Sequence, residues 1–313
     1  MIHQSILQSN QLNSQLSEEG FVVVDLLDAN EVLNLLDNFN KKVTLKDPVF
    51  YATAHAKDIA FRKEMSDSIT SVMAKKVDSF FQNHELLGAS YIVKSKELHH
   101  ALQPHQDWNI VDESKFRSYN IWLPLVDLNE ENGAIMILPK SHNWLNNYRH
   151  SSIPCAYKNV HELVWKNMIP LYLKAGQALI YDHALLHASM PNVSSKNRIA
   201  CACGIIPKEA KMKFYWNNNN TVEEYDCSKD FFLNEDVFSG PHGLKKLRDV
   251  TSDFPVLDEE VFYKLAHIKK PIITPLKEDL PKEKEQNKPI SFFKIYTLKN
   301  ILSEIAIRIK RLF

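Results

Sequence analysis

Between Ala89 and Pro207 the chain keeps returning to one pattern, a short apolar or alternating run closed by turn-forming residues. The runs are Ala89 to Val93, Tyr119 to Val126, Ala134 to Leu138, Ile169 to Leu173, Ala178 to Tyr181 and Ile199 to Ile206. Each is too short for a stable helix and rich enough in branched or aromatic residues to make a strand. Glu131-Asn132-Gly133 and Ala175-Gly176-Gln177 read as turns between them. The whole chain has only 7 glycines in 313 residues, so a glycine here marks a backbone requirement rather than filler. Short strands at regular spacing predict an all-β sandwich or barrel over about residues 89–207.

The flanks read differently. Gly20 to Leu27 is a Val-rich buried strand, followed by capping side chains at Asp28 to Asn30. Glu31 to Phe39 and Ile69 to Phe81 have helical apolar spacing and predict framing helices. Residues 208–250 are polar and aromatic, with Trp216 followed by four asparagines, and read as an irregular excursion. One domain is therefore expected over 1–268. Residues 269–288 are rich in Pro, Lys and Glu and predict a solvated linker. Over 289–313, Ile295, Leu298, Leu302, Ile305, Ile309 and Leu312 form the stripe of an amphipathic helix carrying Lys294, Lys299, Arg308, Lys310 and Arg311 against Glu304. Packing on the domain, pairing with another helix and peripheral membrane contact are the three roles open to it.

Lys plus Arg and Asp plus Glu are 38 each, so no net field recruits nucleic acid. Cys155, Cys201, Cys203 and Cys227 form no CxxC pair, which argues against a cysteine zinc or redox motif. Cys201 and Cys203 alternate on one predicted strand and are expected to be buried thiols. The opening residues lack a basic n-region and a long apolar run, so a reducing cytoplasm is the expected compartment.

Chemistry concentrates in two segments. In Pro104-His105-Gln106-Asp107-Trp108, an imidazole and a carboxylate stand two residues apart, which on an extended strand puts both on one face. An isolated HxD is most often a surface turn. The second segment, ALLHASMPNVSSKNR over Ala184 to Arg198, adds His187, Ser189 and Arg198. Two histidines and one carboxylate are the facial ligand set that leaves iron positions open. A guanidinium on the next strand can hold a carboxylate through paired hydrogen bonds.

These pieces, with IWLPLVDLNEENGAIMILPKSH over Ile121 to His142 and the opening EEGFVVVDLLDANEV, resemble the phytanoyl-CoA dioxygenase-like oxygenases across roughly residues 15–207. The resemblance implies a mainly β fold with framing helices, a double-stranded β-helix of jelly-roll, cupin-like form. It implies His105, Asp107 and His187 as catalytic metal ligands, Arg198 and Ser189 as the 2-oxoglutarate anchor, and Trp122 lining the co-substrate pocket. It implies iron(II), 2-oxoglutarate and O2 as cofactor and co-substrates, with ascorbate as a supporting reductant. The activity implied is hydroxylation of a small-molecule or lipid-like substrate with release of succinate and CO2. The triad alone leaves desaturation, cyclisation and epimerisation open, and the alternative from another class is a non-enzymatic jelly-roll metal-binding or sensor protein. Asp107 favours hydroxylation over halogenation, because related halogenases lack that carboxylate. One departure is Lys140, standing where the family usually has glycine.

Neighbouring residues have plainer readings. His183 shares a face with His187 if the segment is a strand, but the spacing to Arg198 favours His187. His99 and His100 read as loop histidines. Trp108 is either core or substrate mouth, and His142, Trp144 and Tyr148 read as structural.

Overall fold

A computed structural model of the protein describes residues 5–45 and 49–268. The expected linker over 269–288 and the basic amphipathic helix over 289–313 lie outside the described residues.

All seven expected strands form. The larger sheet holds β1 (Phe21–Asp25), β2 (Phe50–Ala52), β3 (His84–Lys94), β5 (Tyr119–Pro124), β8 (Gln177–Asp182) and β10 (Arg198–Pro207). Its spatial order is β1-β8-β5-β10-β3-β2, with every pairing antiparallel. The smaller sheet holds β4 (Leu102–His105), β6 (Ile135–Ile137), β7 (Ile169–Leu171) and β9 (His187–Ser189) in the order β4-β9-β6-β7. The two face each other as a jelly roll. Between them Trp122, Leu179, Tyr181, Ala200 and Ala202 of the larger sheet pack with Ile135 and Ile137 of the smaller.

The larger sheet is also covered on its outer face, which is why its strands read as nearly continuous apolar runs. Helices α1 (Asn10–Glu19), α2 (Ala29–Lys42) and α3 (Ile59–Phe80) lie there. Leu35, Phe39, Met65, Ile69, Met73 and Val77 bury themselves against Tyr91, Val93, Ile121, Ile180, Cys201 and Cys203. Each such side chain contributes roughly 1.5–3 kcal/mol on burial. Cys201 and Cys203 are buried free thiols, as the alternation predicted, and face the helices rather than the other sheet. Helix α2 starts at a capping box, Asp28 accepting from the Asn30 and Glu31 amides while Glu31 accepts from Asp28 N. The smaller sheet is covered by α4 (His161–Asn167) and α6 (Glu259–Leu265), through Val164 and Phe262 against Met136, Leu186 and Ala188.

Two expectations are corrected. Helix α3 begins ten residues before the expected Ile69, capped by the Asp58 carboxylate on the Ala60 and Phe61 amides. Its early turns hide their periodicity because polar residues occupy the buried face: Arg62 donates to the Glu235 carbonyl at 2.9 Å, and Ser66 Oγ accepts from Ala89 N at 2.9 Å. Residues 208–250 are not irregular. They contain an antiparallel sheet of β11 (Lys213–Asn218), β12 (Thr221–Asp226) and β13 (Lys246–Thr251), with the short helix α5 (Phe231–Asn234) between β12 and β13 in the chain. Asn219 and Asn220, at φ 49° and 65°, form a hairpin turn of the kind asparagine tolerates. Buried Glu223 and Glu224 masked the strand pattern; Lys246, Lys213 and Arg248 neutralise them.

Candidate active site

Strands β4 and β9 pair so that His105 stands opposite His187, their ring centroids 4.2 Å apart. Asp107 is not on the strand with His105, as the HxD argument assumed. It follows the end of β4, and the turn still brings its Oδ1 to 3.7 Å from His187 Nε2. One ligand atom from each of His105, Asp107 and His187 lies within 4.8 Å of the others. Each histidine places Nδ1 on a carbonyl two residues earlier, His105 on Gln103 O at 2.8 Å and His187 on Leu185 O at 3.0 Å. Donation there puts the hydrogen on Nδ1 and leaves each Nε2 lone pair free for a metal. Burial, then the neighbouring His187, pulls the His105 pKa down to about 4, so this ring is neutral at physiological pH.

Asp107 is held from both ends. Its Oδ2 accepts from Tyr181 Oη at 2.9 Å and from Asn120 Nδ2 at 3.1 Å, which turns Oδ1 toward the histidines. Asn120 and Tyr181 are partners in the β5–β8 register, both on the inner face. The backbone carbonyl of Asp107 accepts from Arg149 Nε at 2.8 Å, and Arg149 forms a buried two-pronged ion pair with Glu113. Burial raises the Asp107 pKa, but His187, His183, His105 and Asn120 together outweigh it and hold the carboxyl below its ordinary range.

Arg198 opens β10 and is 2% exposed. Its guanidinium lies 5.2 Å from the centroid of Trp122, a cation–π contact. Buried Nε and Nη1 make no hydrogen bond. Such donors are rarely left bare in a folded protein and cost on the order of 1–3 kcal/mol or more each. Burial lowers the Arg198 pKa to about 10, so it stays cationic. Ser189 lies two residues after His187 on the same face, at the wall of the same cavity. The structure thus brings His105, Asp107, His187, Ser189, Arg198 and Trp122 to one cavity of about 570 Å3. Its remaining wall is mostly apolar, including Trp108, Ile110, Met212, Phe232, Leu233 and Phe238.

The other named residues fall elsewhere or do other work. His183 lines the cavity, but its Nδ1 bonds Ser118 Oγ at 2.8 Å and it is not among the three clustered residues that could hold a metal ion. His99 and His100 are exposed. His142 is buried on Ser17 O, Trp144 packs on Phe262 and Tyr148 on Tyr215. Lys140 adopts φ 68°, the left-handed conformation that suits glycine, and pairs with Glu19 at 3.1 Å. Asn120, Tyr181, Arg149 and Lys94 escaped the sequence reading. Only Asn120 and Tyr181 had a signal, since they alternate with Trp122 and Leu179 on inner faces.

The donor set fits iron(II), and the bare guanidinium fits a carboxylate beside it. Residues 18–200 match the phytanoyl-CoA dioxygenase (PhyH) family. A phytanoyl-CoA dioxygenase domain-containing protein 1 homolog from Dictyostelium discoideum is 25% identical over 199 residues, covering 58% of this chain and 68% of that protein. Phytanoyl-CoA dioxygenase 1 of Oryza sativa is 25% identical over 185 residues, covering 56% of this chain and only 58% of its own length. Among solved structures, the epimerase SnoN from nogalamycin biosynthesis, in complex with Fe3+, alpha ketoglutarate and nogalamycin RO, superposes with TM-score 0.49 at 17% identity over 80% of this chain and 95% of that one. HygX from Streptomyces hygroscopicus, with nickel, 2-oxoglutarate and hygromycin B bound, gives TM-score 0.45 at 15% identity over 64% of this chain and 88% of that one. The family match spans more than half of the sequence, and the chain belongs to the phytanoyl-CoA dioxygenase family.

Proposed function

We propose that this protein is an iron(II)- and 2-oxoglutarate-dependent dioxygenase that hydroxylates a small, largely apolar molecule. The observation that carries the reading is Arg198: a buried guanidinium with two bare nitrogens, in the same cavity as a His-Asp-His cluster. His105 Nε2, His187 Nε2 and Asp107 Oδ1 would hold iron(II). Arg198, with Ser189 beside it, would hold the distal carboxylate of 2-oxoglutarate. When bound, iron with 2-oxoglutarate and O2 supplies oxidative decarboxylation to succinate and CO2 together with insertion of oxygen into a substrate C–H bond.

The chain's own residues do the rest. Tyr181 and Asn120 fix the Asp107 carboxylate, and the Arg149–Glu113 pair fixes its backbone, so the ligand set is organised before metal arrives. The apolar wall around Trp108 and Phe238 takes up a substrate with little charge and displaces water. Family membership and retention of the Asp107 carboxylate support hydroxylation.

The test is succinate formation from 2-oxoglutarate by the iron-loaded protein, with ascorbate, under air and without added substrate. Slow turnover that disappears in both His187→Ala and Arg198→Ala is expected. Turnover that persists in Arg198→Ala would overturn the assignment of the anchor, and no turnover or 2-oxoglutarate binding in the wild type would overturn the enzyme.

A further inference from the structure

Lys94 is 1% exposed, an unusual place for a lysine. It ends β3 directly opposite Arg198 in the β3–β10 register, so the two side chains share the inner face. Its ammonium donates to Ser189 Oγ at 2.7 Å, to Ser189 O at 3.2 Å and to Met190 O. Those contacts use all three of its hydrogens on β9 and the residue after it. Gly133, in the Asn-Gly turn, makes room for it: a Cβ there would stand 2.8 Å from Lys94 Cδ.

Two consequences follow. The Ser189 hydroxyl accepts from an ammonium, so its own hydrogen is directed away from Lys94 and is available to an acceptor in the cavity. Second, Lys94 and Arg198 are buried basic neighbours across the register. Burial, and then Arg198, push the Lys94 pKa well down, and no acidic side chain offsets either shift. Two buried positive charges without a counter-ion are costly, and an anion on the inner face beside them relieves both.

We infer that Lys94 is a positioning residue for the distal carboxylate of the 2-oxo acid. It sets Ser189 as a donor toward that carboxylate beside Arg198, so its loss weakens an acid that carries a distal carboxylate and spares one that lacks it. This rests on the 2-oxoglutarate reading above.

The experiment is calorimetric binding of 2-oxoglutarate and of 2-oxobutyrate, which lacks the distal carboxylate, to the full chain loaded with manganese(II). Lys94→Met is expected to weaken 2-oxoglutarate roughly ten-fold or more, the loss of one charge-assisted hydrogen bond, and to leave 2-oxobutyrate unchanged. Ser189→Ala, which keeps the lysine and its backbone contacts, is expected to do the same. The double variant should lose less than the two single losses combined, because both act on one contact. Equal weakening of both acids in Lys94→Met and Ser189→Ala would make Lys94 a structural residue only and overturn the inference. So would unchanged 2-oxoglutarate binding in both, while leaving the proposed function standing. If the wild type binds neither acid, both fall.

Discussion

At the scale of single residues, the site is organised by hydrogen bonds that the sequence motif does not contain. HxD and the later histidine were readable only together, in order with Arg198 and with the resemblance those segments carry, since an isolated HxD is commonplace. Tyr181, which holds Asp107 at 2.9 Å, was not, because a tyrosine in an apolar strand looks like packing. Tyr181→Phe keeps the ring and removes the bond. We expect metal affinity to fall about ten-fold with the fold intact, within the range that outer ligand contacts command. Titration with manganese(II) measures it, and unchanged affinity would remove Tyr181 from the account. Lys94 was equally hidden, since a lysine at a strand end ordinarily points to water.

Asp182 gives a pH effect of definite sign. Burial raises its pKa to about 6, despite Arg117 at 3.7 Å. An unfolded aspartate titrates near about 3.9. Between these values the folded state binds more protons than the unfolded one, so this group makes stability fall as pH rises from about 4 to about 6. Asp182→Asn should remove that component. The difference between the wild-type and variant thermal midpoints, followed from pH 4 to 7, should change across that window and be flat above it.

At the scale of elements, what the sequence revealed depended on how evenly burial alternates. Strands between two layers, such as β5 and β10, are apolar on both faces and stand out. The start of α3 and the β11–β13 sheet did not, because Arg62, Ser66, Glu223 and Glu224 are polar residues at buried positions, each satisfied by partners distant in sequence. Local pattern cannot see such partners. The helical layer matters to the site because α3 backs the sheet carrying Arg198, Asn120 and Tyr181. Ile69 is fully buried against that sheet, and Ile69→Ala should cost about 2–5 kcal/mol by transfer and cavity formation. Denaturant unfolding checks this; a loss below about 1 kcal/mol would mean that the layer is loosely packed.

At the scale of the whole molecule, two sheets enclose a cavity whose inner end is polar and charged and whose remaining wall is mostly apolar. That division was legible only in part. The resemblance pointed to the metal and co-substrate end, whereas the apolar wall draws on Phe50, Leu87, Trp108, Met212 and Phe238, residues from five separate segments with no common motif. Among the described residues no helix is long and apolar enough to cross a membrane. A substrate-facing role for the wall predicts that Phe238→Ala raises the KM of an apolar substrate while leaving uncoupled 2-oxoglutarate turnover within about two-fold, since the wall belongs to binding rather than to the anchor.

The most direct test of the central claim uses oxygen-18 gas. The iron-loaded protein is given 2-oxoglutarate under labelled dioxygen, and the succinate is read by mass spectrometry. A 2-oxoglutarate dioxygenase leaves one atom of the dioxygen in the new succinate carboxylate, so singly labelled succinate, absent in His187→Ala, is the expected result. Unlabelled succinate, or none from a protein that has bound iron and 2-oxoglutarate, would contradict the account.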